Sequence, residues 1–185
     1  MKGVRNGLRF CLVVLVMWGG SAGADEALRD AAVAAMAKAT HFFRTEVATE
    51  GGYLWKYKSD FSMREGEGVA SPSTIWVQPP GTPAIGMVYL DAYGATGDSS
   101  YLEGAKDAAR ALVWGQLASG GWDYRINFDA ERSQRWYYRR DVAAGKQRRD
   151  RQRNTTVLDD NTTQSALRLL MRVDKITQFA DAKVH

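Results

Sequence analysis

The chain has 185 residues, of which 25 are basic, 21 acidic and two histidine, with a single cysteine. With 45% of its residues hydrophobic it can build a real core, which excludes a disordered chain. Two histidines exclude a histidine-rich metal site and leave a serine–histidine triad hard to assemble.

Taken in order, the first element is a leader. Lys2, Arg5 and Arg9 precede the short apolar run 10–18, and Ala22-Gly23-Ala24 supplies a small-residue cleavage pattern before Asp25. Residues 1–24 therefore read as a secretory signal peptide, and the mature protein as secreted or periplasmic, without a membrane span after removal. Removing those three basic residues from 25 leaves 22 against 21 acidic, a net charge of +1. The apparent basicity is thus a targeting feature, and no nucleic-acid partner is expected. Cys11 leaves with the leader, so the mature chain has neither disulfides nor a cysteine nucleophile.

Residues 25–47 have the apolar spacing of an alanine-rich helix. Gly51-Gly52 ends it, and the aromatic-rich 53–57 reads as a short extended run. Pro79-Pro80-Gly81 marks a loop, after which Thr82-Pro83 starts a second helix with threonine as cap, Ile85, Val88, Tyr89 and Ala92 as its stripe and Gly97 as C-cap. A capping box at Ser100 and Glu103 opens a third helix, with Leu102, Ala105, Ala109, Leu112 and Val113 as its stripe and Gly120-Gly121 as its end. The short link predicts an antiparallel helical hairpin. Residues 131–153, with nine basic and three acidic residues, have the composition of an anion-binding or disordered surface loop. A fourth helix over 157–175 carries Ala166, Leu169, Leu170, Val173 and Ile176 on one stripe.

Two features carry candidate chemistry. Gly51-Gly-Tyr-Leu-Trp-Lys-Tyr57 and Gly120-Gly-Trp-Asp-Tyr-Arg-Ile126 share two glycines, two aromatics and a basic residue, a weak repeat that would place equivalent loops on one face. Their aromatics either close the ends of a helical barrel or stack on sugar rings, with Glu65, Glu67 and Asp123 able to add carboxylates, although the two glutamates read first as solvent-exposed turn residues. Asp159-Asp160-Asn161-Thr162-Thr163 opens the last helix. Asn161 with Gln164 fits a capping box, yet capping needs one such residue and here there are several. Clustered carboxylates and amides of this kind also suit calcium. Gln116-x-x-x-Gly-x-Trp122 matches the terpene-cyclase repeat once, and is read as glutamine tying a helix end to a turn.

Together the segments Gly-Gly-Tyr-Leu-Trp-Lys-Tyr, Arg64-Glu-Gly-Glu-Gly68, Trp76-Val-Gln-Pro-Pro-Gly-Thr-Pro83 and 156–168 resemble secreted bacterial pectate lyases of polysaccharide lyase family 10. The last looks like the family element Asp-Asn-x-x-Thr ahead of a helix. Asp159 matches its functional aspartate by distance from Arg168, and Asp160-Asn161 matches the dipeptide. The resemblance implies an all-α fold, an α/α toroid, here incomplete, built of helical hairpins with short extended aromatic loops over 25–185. It also implies calcium-assisted β-elimination of polygalacturonate. On that basis Asp159 and Asp160 are expected as catalytic and metal-binding groups. Asn161, Thr162, Thr163, Trp122, Asp123, Tyr124 and Trp55 are expected to bind substrate. The family's base resembles an arginine in segments that follow the last helix, so the chain is expected to be an N-terminal portion, inactive alone. The competing expectation is a non-catalytic secreted module that binds acidic polysaccharide.

Overall fold

In the computed structural model the described residues are 21–184, so the leader expected over 1–24 lies almost wholly outside them. The chain divides into two units, Met1–Ala37 and Lys38–His185. Helix α1 (Ser21–Phe42) continues into a π-helical turn, Phe43–Val47. No helix among the described residues is long and apolar enough to cross a membrane.

The second unit is built on three helices. α2 (Thr82–Thr96) and α3 (Ser99–Trp114) form the expected hairpin, and the last long helix packs against both. Close approach depends on missing side chains: a Cβ on Gly86 would run into Leu169, and one on Gly104 would press on the Tyr89 ring. Gly97 ends α2 in the left-handed region (φ 72°), a conformation glycine adopts without steric cost. The other helix ends differ from expectation. Gly81, not Thr82, is the N-cap of α2, and the Thr82 hydroxyl is buried, accepting from the Tyr53 N–H. Asp98 caps α3 by accepting from the Ser100 N–H, in place of a Ser100–Glu103 box. α3 stops at Trp114, with Gly115 as C-cap, well before Gly120-Gly121. Of the α2 stripe, Tyr89 and Ala92 are buried but Val88 is exposed, because α2 turns Leu90 and Gly86 inward instead.

An all-α toroid is not what the chain forms. Beside the helices lie two small antiparallel sheets, making the protein mixed α/β. β1 (Lys56–Tyr57) pairs with β2 (Arg64–Glu65). β3 (Thr74–Trp76) pairs with β4 (Arg125–Asn127) in the register Thr74 to Asn127, Ile75 to Ile126 and Trp76 to Arg125. Ile75 and Ile126 are fully buried, so this sheet belongs to the core, whereas the helix-dominated pattern of the sequence points to helices alone. Trp76 N–H donates to the Tyr53 carbonyl and Val77 N–H to that of Tyr124, which lays both glycine-aromatic segments beside β3.

Most of residues 131–153 are exposed, as a surface segment is, with two short helical turns among them. A 3₁₀ turn (Arg132–Arg135) leads to α4 (Arg139–Ala143), and Trp136 and Tyr138 join Leu117 in a small second core. The Arg140 guanidinium lies 3.5 Å from the Trp114 ring centroid and 3.9 Å from that of Tyr138, and donates to the Trp114 carbonyl. Cation–π contacts at this range, in a desolvated setting, anchor the segment to the end of α3. A second 3₁₀ turn (Asp159–Asn161) leads into α5 (Thr162–Ile176), where Ala166, Leu169 and Val173 are fully buried as the stripe predicts.

Candidate functional site

The two glycine-aromatic segments have the same construction. In each the first aromatic goes inward: Tyr53 is buried, with its hydroxyl 2.8 Å from that of Tyr89, and Trp122 is fully buried and donates its indole N–H to the Leu112 carbonyl. The glycine before each is tightly enclosed, since a Cβ on Gly52 would meet Ile75 and one on Gly121 would meet Thr156. The second aromatics, Trp55 and Tyr124, are half-buried and come to the same place.

That place centres on Gln78, which follows β3. Its carbonyl accepts from the Trp55 indole N–H at 3.0 Å, and its side-chain oxygen accepts from the Trp76 indole N–H at 3.1 Å. Its amide nitrogen donates to Asp160 at 2.9 Å and to Glu67 at 3.1 Å. Tyr124 donates its hydroxyl to Asp159 at 3.3 Å. One buried glutamine thus gathers two indoles, one on its carbonyl and one on its side chain, and two carboxylates, and a phenol reaches a third carboxylate beside them. The Tyr124 phenol is raised above its usual range, by desolvation first and then by the negative field of Asp159, Asp160 and Glu67.

The turn that presents Asp159 and Asp160 is fixed from below. Val157 N–H donates to the Trp122 carbonyl, and the Trp122 N–H donates to the Thr163 hydroxyl. Asp160 and Asn161 both sit in the left-handed region, with φ of 48° and 61°. Two consecutive non-glycine residues there are uncommon and strained. Asp159 accepts from the Asp160 N–H, which stabilises the turn locally.

The expected site residues therefore separate. Asp159, Asp160, Tyr124 and Trp55 are brought together, and Asn161 is exposed next to them. Trp122, Thr162 and Thr163 are buried and have no face to offer a sugar; they position the turn rather than contact a ligand. Asp123 is also committed elsewhere, accepting from the Trp136 indole N–H at 2.6 Å and facing Arg153 at 3.4 Å. Asn161 makes no side-chain cap, and Gln164 instead donates to the Leu158 carbonyl, so the capping box expected there does not form. Gln116 donates to the Gly120 carbonyl, tying the end of α3 to the turn as read from its spacing.

Glu67 and Gln78 extend the expected set. Glu67, read from sequence as a turn residue, belongs to the site, and Gln78 has no signal of its own beyond preceding Pro79-Pro80-Gly81. The assembled oxygens of Glu67, Asp159 and Asp160 are hard donors of the type calcium accepts. Among the described residues, however, no group of three or more His, Cys, Asp or Glu side chains converges closely enough to enclose a metal ion. The chain offers an open, partial donor set. Comparison with family models, curated proteins and solved structures returns no match for this chain.

Proposed function

We propose that this face binds acidic polysaccharide and forms one wall of a lyase site of the pectate-lyase type, in an exported protein. The observation that carries the reading is the convergence of Trp55 and Tyr124, equivalent positions of two glycine-aromatic segments, on the carboxylates grouped around Gln78. Aromatic edges beside fixed polar groups suit a pyranose ring, whose faces are apolar and whose rim is hydroxylated.

An anionic sugar approaching three carboxylates is repelled unless a cation lies between them. Glu67, Asp159 and Asp160 would hold a divalent ion, with Ca²⁺ the proposed one, whose charge would offset that repulsion. When bound, such an ion neutralises the uronate carboxylate and so acidifies the neighbouring C5 proton. Within the chain, Gln78 holds Asp160 and Glu67 in place, Trp55 and Tyr124 border the ring, and Thr163 with Trp122 fixes the turn. β-elimination further requires a base that takes the C5 proton as the C4–O bond breaks, leaving a C4=C5 double bond. Arg125, Arg139 and Arg140 are not assigned that role, and Arg140 is committed to its two aromatic rings.

Binding of polygalacturonate by calorimetry, with calcium and with chelator, tests the reading. Wild type is expected to bind more tightly in calcium than in chelator, and Asp160→Asn to lose most of that calcium-dependent part. Identical binding by wild type and variant, unaffected by chelator, would sink it. Ultraviolet absorbance of an unsaturated product identifies a lyase, whereas binding without product is shared by a carbohydrate-binding module and a lyase wall that lacks its base.

A further inference from the structure

A cleft lies beside the β3–β4 sheet. It has a volume of about 250 Å³ and is lined by Arg125, Arg132 and Arg135, with Ser71, Thr74 and Asn127 at its floor. No aspartate or glutamate lines it. Among the described residues none of the three guanidinium groups forms an ion pair. The nearby Asp129 accepts from the backbone N–H groups of Glu131 and Arg132, which holds it at the turn. Three arginines held without counter-charge around one cavity raise the local potential for an anion.

The floor is polar and rigid. Asn127 is buried and donates to Thr74 at 2.8 Å and to Ser71 at 3.3 Å, while its side-chain oxygen accepts from Ser73 at 3.1 Å. Val69, Ala70 and Trp136 complete the lining, so a hydroxylated ring meets both apolar surface and serine and threonine oxygens. The volume falls below the roughly 300–1,000 Å³ of pockets that enclose drug-sized ligands, and so matches a single sugar ring. The guanidinium fork is the group best shaped to take a carboxylate through two parallel hydrogen bonds.

We infer that this cleft is an anion subsite for the carboxylate of a uronic-acid residue, separate from the carboxylate face. The choice of a uronate over other anions rests on the reading of that face given above. Two contacts join the sites: the Arg125 guanidinium stands 5.8 Å from the Trp76 ring centroid, and Trp76 in turn donates to Gln78. A polyuronate spanning both would meet the arginines in the cleft and the carboxylates gathered around Gln78. The sites therefore differ in their dependence on a metal, since the arginines need none.

The test measures binding of oligogalacturonate, a neutral galactose oligomer and inorganic sulfate, all with chelator present, to the full chain and two double variants. Arg132→Gln/Arg135→Gln removes two exposed cleft arginines. Lys58→Gln/Arg151→Gln removes the same charge from exposed positions outside the cleft. Wild type is expected to bind oligogalacturonate without metal, the cleft variant to bind about tenfold or more weakly, and the control to stay within about twofold. Both variants should keep the wild-type melting temperature, as these side chains are exposed. Equal weakening in the control, equal binding of the neutral oligomer, or sulfate matching the oligogalacturonate would each overturn the assignment. If a parallel titration in calcium shows no chelator-sensitive component in wild type, the reading of the carboxylate face fails while the cleft result stands by itself.

Discussion

Replacing Gln78 with alanine should damage fold and site together, by an amount that can be worked from its contacts. The side chain is 5% exposed and accepts from the Trp76 indole, itself 4% exposed. Stranding that buried N–H costs about 1–3 kcal/mol. The bonds to Glu67 and Asp160 end on exposed carboxylates that water can serve, so each is taken at about 0.5 kcal/mol. The sum is roughly 2–4 kcal/mol, or about 4–16 °C in melting temperature for a unit of this size. Gln78→Met, which fills similar space without hydrogen bonds, should fall nearly as far. The carbonyl that holds Trp55 survives both substitutions. Urea unfolding of both variants, and of each combined with Asp160→Asn, is the assay. Both variants within about 0.5 kcal/mol of wild type would refute the hub, and a large effect in alanine alone would mean that volume, not hydrogen bonding, matters.

Other expectations follow from the same contacts. Trp55→Ala should abolish most saccharide binding while Trp122→Phe leaves affinity unchanged and lowers stability, because only the first borders the site; titration beside thermal melting separates them. Gly121→Ala should cost about 1–3 kcal/mol through overlap with Thr156, measured by denaturant unfolding. The Asp181 carboxyl is held below its usual range: burial pushes it up, but the Lys183 N–H and the Arg110 and Lys106 cations outweigh that. A depressed folded value stabilises above the unfolded carboxyl range near about pH 4 and is lost as pH falls through the folded value. Asp181→Asn should therefore remove about 1 kcal/mol at neutral pH and flatten the acid limb of the stability–pH curve. Tyr124→Phe should weaken calcium-dependent binding, and wild-type binding should hold across about pH 7–9, since its phenol stays protonated there.

How far the sequence discloses the molecule depends on the length of the pattern involved. The α2–α3 hairpin and the buried stripe of α5 are legible, because an apolar period sustained over four turns has few alternatives. β3 and β4 are not, since three residues each, buried on both faces, leave no alternation to read, and their pairing joins positions some fifty residues apart. The weak repeat correctly places Trp55 and Tyr124 on a common face, but nothing in it separates the inward Tyr53 and Trp122 from them. Over residues 131–153 charge counting marks an exposed segment but hides the buried Trp136 and Tyr138 and the stacked Arg140 within it. Gln78 is the plainest omission, because its role becomes visible only when Trp55, Glu67 and Asp160 arrive from other segments to join Trp76 around it.

The left-handed pair at Asp160 and Asn161 sets two kinds of selection against each other. Glycine would occupy position 160 without the clash that an L side chain suffers there, by roughly 1 kcal/mol. A screen of random variants for heat tolerance alone should therefore enrich Asp160→Gly. A screen for growth on, or capture of, acidic polysaccharide should purge the same change, because it deletes the carboxylate that Gln78 holds. Sequencing position 160 after each regime turns a single backbone angle into a readout of whether the organism keeps this turn for its shape or for its charge.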